Sequence, residues 1–263
     1  MTYVDPQQSP VALVFGGRSP IAIACALRIA RHQDAVLVTR SVDEELREAV
    51  SAGAPRLTLV ASDLAKSGPG TEIVNEIYAS GREVNAAVFL QRYRPVGPAR
   101  FDEHAAIELW SIEEVLTAIC KHKNPKTEVQ AIVSSSPAAH KVLNDQGSAY
   151  HVVKAGQEAL VRFLAATLFD ARIFVNGIRI GSIVLKPRAA AYWKSIPDVV
   201  SGLQRTSPSG SLQTSDDVGW AFARLAMAGL AGATGQIITL DDGFDLRDGV
   251  QMAKAALEHG GEE

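Results

Sequence analysis

Short apolar runs rich in β-branched residues alternate along the chain with longer segments in which apolar residues recur at helical spacing. The first run, Val11–Phe15, is apolar at every position, as expected of a strand that is buried on both faces of a parallel sheet. The runs predict seven strands, at about 11–15, 35–39, 57–60, 86–90, 129–133, 173–178 and 236–240. Helical spacing predicts helices at about 21–32, 43–51, 71–80, 102–121, 150–169 and 215–228. This alternation is typical of repeated βαβ units, and it predicts an α/β fold with a doubly wound, seven-stranded parallel sheet and helices on both faces.

The composition is that of an ordinary globular protein. Of the 263 residues, 47% are hydrophobic and 21% are charged, with a formal net charge of −3. Because the Lys and Arg residues are dispersed, we expect neither a nucleic-acid partner nor a membrane partner. Residues 1–10 are polar, and no apolar stretch approaches the length of a membrane span, so we expect a cytoplasmic protein.

Cysteine and histidine usage adds two expectations. Cys25 and Cys120 each lie in an apolar, helix-like stretch, which favours buried free thiols in a reducing compartment over a disulfide. The six histidines are scattered along the chain, so we expect no metal site.

A glycine-rich turn connects the first predicted strand to the first predicted helix. The amides and dipole of the helix N-terminus at this turn could bind the pyrophosphate of a dinucleotide. The same turn could instead serve only the tight connection between strand and helix. Its position after the first strand of a doubly wound pattern, where the ligand crevice opens, favours binding. The residues predicted to bind the cofactor here are Gly16, Gly17, Arg18, Ser19 and Ile21.

The end of the second strand is where such folds distinguish the two forms of the cofactor ribose. An acidic side chain binds a free 2′-hydroxyl, whereas an arginine pairs with a 2′-phosphate. Arg40, supported by Arg18 and by the Ser41 hydroxyl, therefore predicts NADP(H) over NAD(H). The alternative is that Arg40 is an exposed loop residue. After the third strand, Asp63, next to Leu64, could bond the adenine amino group or could instead cap the next turn.

Tyr150 and Lys154 lie four residues apart at the start of a long predicted helix, so they share a face. A lysine ammonium near a phenol stabilises the phenolate. The phenol can then give a proton to a carbonyl oxygen, and the phenolate can take one from an alcohol. A Tyr and a Lys at this spacing are also common on helix surfaces by chance. Upstream, three serines at 134–136 follow a predicted strand, where one hydroxyl could orient a substrate oxygen or the run could be ordinary turn chemistry.

Three segments of the C-terminal half carry a resemblance to a known family. They are Tyr150-x-x-x-Lys154, residues 173–183, which read IFVNGIRIGSI, and residues 234–244, which read TGQIITLDDGF. They resemble, in order and spacing, the motifs YxxxK, IxVNxIxPGxI and TGQxxxxDGG of the short-chain dehydrogenase/reductase family. The resemblance extends from Val11 to Phe244, and it implies an enzyme that transfers a hydride to or from a nicotinamide dinucleotide.

The resemblance also implies roles for individual residues. Tyr150 is the expected acid/base, and Lys154 is expected to bond the nicotinamide ribose and to tune Tyr150. The catalytic serine aligns with Ser135, with Ser136 a close alternative. The residues implied to lie at the nicotinamide are Gly181 and Ile183.

The N-terminal half departs from the family pattern. Pro20 and Ala22 replace two glycines of the first turn, which is closer to the SIA-type turn of enoyl reductases. After the fourth strand the family's Asn-Asn-Ala-Gly is replaced by Phe89-Leu90-Gln91-Arg92, where we expect Leu90 and Gln91 at the cofactor.

A second departure concerns the fourth catalytic position, which is an Asn in the family. Residues 109–111 contain no Asn, and Ser111 is the polar side chain there. The proton relay is then either absent or rebuilt through water. Arg92 and Arg94 could meet a cofactor phosphate or an anionic substrate, although a solvated loop is the simpler interpretation.

We therefore expect one Rossmann domain over residues 1–263. Residues 10–185 form the cofactor-binding and catalytic core, 186–211 a substrate lid with short helices, 212–245 the last helix and strand, and 246–263 a C-terminal tail. The expected function is NADP(H)-dependent reduction of a small or carrier-linked ketone, or oxidation of a secondary alcohol, in biosynthetic metabolism by a homodimer or homotetramer. Two alternatives stay open: a non-catalytic, cofactor-binding protein of this fold, and a redox-neutral dehydratase or isomerase.

Overall fold

The computed structural model describes residues 9–51, 54–94, 100–181, 184–185, 190–230 and 232–257. Seven strands form one parallel sheet in the order β3-β2-β1-β4-β5-β6-β9, and two short strands, β7 and β8, pair separately. The strands are β1 Val11–Phe15, β2 Asp34–Thr39, β3 Leu57–Ala61, β4 Val84–Phe89, β5 Val129–Ser135, β6 Ile173–Ile180, β7 Val184–Leu185, β8 Gln213–Thr214 and β9 Ile237–Leu240. The predicted doubly wound, seven-stranded parallel sheet is confirmed.

The helices cover both faces of the sheet. They are α1 Pro20–Ile29, α2 Glu44–Ser51, α3 Pro69–Ala79, α4 Phe101–Ala105, α5 Ser111–His122, α6 Ser148–Leu168, α7 Ala190–Lys194, α8 Pro197–Thr206, α9 Ser215–Ala228 and α10 Gly249–Leu257. Among the residues that the structure describes, no helix has the length and apolarity that a membrane crossing requires.

Two apolar cores lie on opposite faces of the sheet, because successive side chains of a strand point in opposite directions. Leu13 and Phe15 of β1 join the core beneath α3, α5 and α6. Ala12 and Val14 join the core beneath α1 and α9. All five side chains of β1 are fully buried, which is why its sequence is apolar at every position.

The predicted helix at 102–121 is interrupted. A wider π turn, Ala106–Trp110, lies between α4 and α5. The helical backbone continues through this turn, but the side chains after it are rotated about the helix axis. Such turns insert one residue into the helical ladder and often occur at functional sites. Apolar spacing over the whole segment does not reveal this change, and the single predicted helix was therefore wrong in this respect.

The region predicted as a lid contains α7 and α8 in its described part, as expected of a covering loop with short helices. Residues 186–189 of the predicted lid lie outside the described residues. The C-terminal tail contains α10, which packs against α8.

Gly219 of α9 allows α1 and α9 to pack in close contact. A Cβ at this position would lie 2.7 Å from Ala24 Cβ and 2.9 Å from both the Cys25 amide nitrogen and the Ile21 carbonyl oxygen. Two of these three atoms belong to the backbone of α1, so the helices would have to separate to admit a methyl group.

Gly219→Ala should lower the free energy of unfolding by about 1–3 kcal/mol, because overpacking at a backbone contact strains the core. Gly202→Ala in α8 is the matched control, since only the Arg205 side chain lies near its added Cβ. The control should instead stabilise the protein by about 0.5–1 kcal/mol through the helix propensity of Ala. Urea unfolding followed by circular dichroism measures both changes, and equal stability of the two variants would contradict the packing described for Gly219.

Candidate functional site

The candidate site lies along the edge of the sheet where the parallel strands end. Because all seven strands run in one direction, the loops after β1, β2, β4, β5 and β6 meet at their carboxyl ends. The order of the strands changes direction between β1 and β4, and a crevice opens at such a switch point. The predicted residues at this edge are Gly16, Gly17, Arg18, Ser19, Arg40, Ser41, Leu90, Gln91, Ser135 and Gly181.

The glycine turn after β1 has the shape of an anion-binding turn. Gly17 has a φ of +56°, in the left-handed region that favours glycine. A Cβ at Gly16 would lie 2.7 Å from Ala22 Cβ and 2.9 Å from Leu90 Cβ, so the turn fits closely against both. The amide of Gly17 bonds the Val38 carbonyl at 3.0 Å and ties the turn to β2.

The N-terminus of α1 follows the turn and carries no side-chain cap. Ser19 is the N-cap residue, and its hydroxyl makes no capping hydrogen bond. Helix geometry leaves the amides of Ile21 and Ala22 without a carbonyl of the preceding turn. These donors, the dipole of α1 and the close glycine turn fit the pyrophosphate of a dinucleotide.

The two arginines of the predicted NADP(H) site have different surroundings. The Arg18 guanidinium pairs with Asp43, and it also pairs with Glu45 at 2.6 Å. A hydrogen bond from the Leu46 amide, together with Arg18, lowers the pKa of Asp43 and keeps it ionised. Arg40 is exposed, and among the described residues it forms no salt bridge. Arg40 is therefore the cation that remains available at the end of β2.

The remaining predicted cofactor residues lie after β2, β3 and β4. Ser41 accepts a bond from the Thr39 hydroxyl at its carbonyl oxygen, 3.1 Å away. The Asp63 carboxylate accepts the Ala65 amide at 3.2 Å, which is the turn-capping geometry, and Leu64 packs against the core. Leu90 is buried.

Gln91 and Ser111 bond each other. The Gln91 amide donates to Ser111 Oγ at 3.2 Å, and the Ser111 hydroxyl donates to the Ile107 carbonyl at 2.7 Å. Gln91 Oε1 is buried and has no hydrogen-bond partner among the described residues. Ser111 thus supports the loop after β4, and the described contacts do not link it to Lys154.

Tyr150 and Lys154 lie on the same face of α6, as their spacing predicts. Lys154 is 3% exposed, and its Nζ lies 5.5 Å from the centre of the Tyr150 ring. Tyr150 itself is half-buried. The Tyr150 ring also contacts Arg92, whose guanidinium lies 4.7 Å from the ring centre. The same guanidinium donates a hydrogen bond to Gln146 Oε1 at 2.9 Å. Arg92 is an exposed loop residue, as the simpler interpretation of the sequence expects, and its guanidinium also stacks on Tyr150.

Glu108, in the π turn, is the ionic partner of Lys154. Its Oε2 lies 2.7 Å from Lys154 Nζ, and the Glu108 side chain is completely buried. Lys154 Nζ also donates to Gln157 Oε1 at 2.8 Å, while Gln157 Nε2 donates to the Glu108 carbonyl at 2.9 Å. Gln157 therefore holds the backbone of the π turn and the ammonium of Lys154 at the same time.

The second oxygen of Glu108 is also bonded. Oε1 accepts the Tyr93 amide at 2.7 Å and lies 3.0 Å from His104 Nε2. Burial by itself raises the pKa of Glu108, but the charge of Lys154 and the hydrogen bonds lower it to about 2. The His104 ring packs between the rings of Tyr93, at 5.1 Å, and Tyr150, at 6.2 Å. The carboxylate is therefore ionised and has fixed partners on every side.

The three serines after β5 differ in their hydrogen bonds. The Ser135 hydroxyl donates to Glu158 Oε1 at 2.8 Å, and Glu158 also forms a two-point pair with Arg179, at 2.8 and 2.9 Å. Ser136 instead accepts the Ala138 amide at 3.3 Å, so its own hydroxyl proton is left available. Ser134 is buried, with 7% of its surface exposed.

Gly181 ends β6 beside Asp241. Its amide donates to the Leu240 carbonyl at 3.0 Å, and an added Cβ would lie 2.7 Å from Asp241 Cβ. Ile183, the other residue predicted at the nicotinamide, lies outside the described residues. No group of three or more His, Cys, Asp and Glu in the described ranges is arranged to hold a metal.

Sequence reasoning missed Glu108, His104 and Gln157. One signal for Glu108 was present: it lies three residues after Ala105 and four before Ile112, both of which are buried. A glutamate on the buried stripe of a helix needs a positive partner. The sequence alone did not show that Lys154, from a different helix, would be that partner.

Comparison with known proteins adds independent evidence. A family model described as "Enoyl-(Acyl carrier protein) reductase" matches residues 16–245. The enoyl-[acyl-carrier-protein] reductase [NADH] FabI of Synechocystis is 38% identical over 95 residues, and that of Nostoc is 35% identical over 95 residues. Each match covers only 36% of this chain and 36% of the relative.

Solved structures resemble the chain over most of its length. The 3-oxoacyl-[acyl-carrier protein] reductase of Brucella melitensis, in complex with NAD, is 25% identical with a TM-score of 0.74, and the match covers 92% of this chain and 99% of that one. A short-chain type dehydrogenase/reductase from Mycobacterium ulcerans has a TM-score of 0.77 at 21% identity, covering 96% of each chain, and so supports the fold.

The family model spans nearly the whole sheet and every candidate residue between the glycine turn and the end of β9. Tyr150 and Lys154 stand within it at the spacing that the family motif requires. The chain belongs to the short-chain dehydrogenase/reductase family.

Proposed function

We propose that the protein is an NADP(H)-dependent reductase that converts a small or carrier-linked ketone into a secondary alcohol, or catalyses the reverse oxidation. The observation that carries the proposal is the placement of Tyr150 at the crevice with the buried ammonium of Lys154 5.5 Å from the centre of its ring. A phenol placed in this way can exchange a proton with a substrate oxygen, and the nearby charge stabilises the phenolate that remains.

Different residues at the sheet edge would bind different parts of the cofactor. The glycine turn and the first amides of α1 would hold the pyrophosphate, and Lys154 would bond the nicotinamide ribose. Bound there, a nicotinamide dinucleotide supplies the hydride. Tyr150 then gives its proton to the carbonyl oxygen, so that one hydride and one proton convert the ketone into an alcohol.

Ser136 is the serine that we propose for the substrate oxygen. A group that stabilises a developing oxyanion must donate a hydrogen bond to it. The Ser135 proton is directed at the Glu158 carboxylate, whereas Ser136 uses only an acceptor lone pair in its bond with the Ala138 amide. This preference reverses the order that the alignment with the family implied.

The choice of NADP(H) rests on Arg40. Arg18 is neutralised by Asp43 and Glu45, so Arg40 would be the main cation for a 2′-phosphate. The names of the relatives mention both forms of the cofactor, since the cyanobacterial reductases carry the designation NADH and a neighbour from Agrobacterium tumefaciens was solved with NADP.

Reduction of an enoyl thioester is a second candidate. The description of the family model and the names of the cyanobacterial relatives favour it. The same Tyr150 would then protonate the enolate oxygen or stabilise it. Assays of the purified protein with a 3-oxoacyl and an enoyl thioester of equal chain length separate the two reactions.

We also propose a cytoplasmic homodimer or homotetramer. Large apolar side chains remain exposed on the π turn, on α6 and at the C-cap of α6, namely Trp110, Val152, Phe163 and Phe169. Exposed apolar groups on neighbouring helices suit an interface between copies of the chain.

Tyr150→Phe tests the proposed chemistry. The variant should fold and bind NADPH as the wild type does, but kcat for ketone-dependent NADPH oxidation should fall about 100- to 10,000-fold, because the proton donor is lost. Absorbance of NADPH follows the reaction. The proposed function would be contradicted if the wild-type protein failed to oxidise NADPH both when a ketone and when an enoyl thioester is supplied.

Arg40→Ala tests the cofactor choice. Loss of a charge-assisted contact of about 1.5–3 kcal/mol should weaken NADPH binding roughly 10- to 100-fold and leave NADH binding unchanged. Arg31→Ala, another exposed arginine near β2, serves as the control and should bind NADPH normally. Fluorescence titration of the wild type and both variants with NADPH and NADH measures the dissociation constants. If Arg40→Ala binds NADPH with wild-type affinity, the basis for preferring NADP(H) is removed.

Ser136→Ala and Ser135→Ala form a matched pair. The first should lower kcat by about 100-fold through loss of an oxyanion donor. The second should have a clearly smaller effect, because Glu158 keeps its two-point pair with Arg179. Steady-state kinetics decides between them, and a larger loss in Ser135→Ala would restore the original alignment.

A further inference from the structure

We propose that Glu108 is a positioning residue of the reaction, which keeps Lys154 ionised and fixed beside Tyr150. The inference rests on the proposed function, because it assigns Lys154 its part in that chemistry. It begins from burial: Lys154 is 3% exposed and Glu108 is fully buried. An ammonium at such a place is costly unless a counter-charge and hydrogen bonds compensate for the lost water.

The contacts of Lys154 leave one donor available. An ammonium carries three N–H donors. One is taken by Glu108 at 2.7 Å and one by Gln157 at 2.8 Å. Within the described residues the third donor has no hydrogen-bond partner, and Nζ lies 5.5 Å from the centre of the Tyr150 ring. Glu108 and Gln157 thus hold the ammonium by two points and leave the third for the crevice.

Glu108 can hold Lys154 because it is itself immobile. Its other oxygen accepts the Tyr93 amide at 2.7 Å and is bonded to His104 at 3.0 Å. The Tyr93 contact comes from the loop after β4 and the His104 contact from α4. Two separate elements therefore fix this oxygen of the Glu108 carboxylate, while Gln157 of α6 holds the Glu108 backbone.

The π turn carries Glu108 and lies in contact with α6. The Glu108 carbonyl is bonded to the Gln157 side chain at 2.9 Å, which fastens the widened turn to α6. Ser111, the next polar residue, is directed instead towards Gln91 and the Ile107 carbonyl. Glu108 thus occupies the place beside Lys154 for which the family pattern suggested an Asn further along the helix.

The described ionisable groups that face this pair are few. Tyr150 approaches Lys154 from the same helix, and His104 approaches Glu108 from α4. Arg92 contacts the Tyr150 ring. Arg92 is positive, so it cannot replace Glu108 as the counter-charge. Removing the charge of Glu108 should therefore disfavour the ammonium form of Lys154.

Two substitutions separate charge from position. Glu108→Gln keeps the shape and removes the charge, so kcat should fall about 10- to 100-fold with KM changed less than about 3-fold. The alkaline limb of the activity profile should move to lower pH, because the buried pair then lacks its negative charge. Glu108→Asp keeps the charge and shortens the reach, so kcat should fall while the alkaline limb stays in place.

Glu113→Gln is the control, since Glu113 lies in the following helix α5 and forms no salt bridge within the described part of the chain. It should match the wild type in kcat, pH profile and melting temperature. Wild-type kcat and pH profile in Glu108→Gln would overturn the proposal. A loss of kcat of the same size in both Glu108 variants, with no change of the pH profile, would also overturn it and leave Glu108 a purely structural residue.

The folding and the cofactor binding of the Glu108 variants are measured as well. If Glu108→Gln does not fold, Glu108→Asp decides: lowered kcat at unchanged KM and melting temperature supports positioning, and wild-type kcat overturns it. NADPH affinity, measured by fluorescence, gives a readout without turnover, and Glu108→Gln should bind at least about 5-fold more weakly, since the residue that meets the ribose is displaced. An inactive wild type would count against the proposed function. An active wild type, together with a Glu108→Gln variant of wild-type kcat and pH profile, would count against this inference alone.

Discussion

The buried pair of Lys154 and Glu108 is the interaction on which the site depends. Each charge would be strongly unfavourable alone in this position, so neither helix can present its residue without the other. The pair joins α6, which carries the proposed acid/base Tyr150, to the π turn between α4 and α5. The position of Tyr150 is therefore linked to residues of the π turn, and a change in the π turn should also displace Tyr150.

The parallel sheet supplies the second constraint. Strands that all end at one edge bring together residues that are far apart in the sequence, from Gly16 after β1 to Gly181 after β6. Close packing limits what can stand there: Ala22 is small because it meets Gly16, and Gly181 has no room for a side chain against Asp241. The glycine turn thus departs from the family pattern in sequence while it retains a close turn and an uncapped helix N-terminus.

Much of the fold could be predicted from the sequence, because burial leaves a direct trace in residue type. Val11–Phe15 is buried on both faces and is apolar at every position, and Tyr150 and Lys154 share a face because a helix requires it. The π turn could not be predicted, since one widened turn hardly changes the apolar spacing. The pairing of Arg18 with two carboxylates and of Ser135 with Glu158 depends on tertiary contacts over long sequence separations, which motifs do not record.

Two acceptors thus hold Lys154 in place, and its third donor is available beside Tyr150. A crystal structure of the NADPH complex is the decisive measurement. In that complex, Lys154 Nζ should remain within hydrogen-bond distance of both Glu108 and Gln157 and should reach the cofactor ribose with its third donor. A complex in which Lys154 leaves Glu108 to meet the cofactor, or in which the ribose lies beyond its reach, would contradict this role of Lys154.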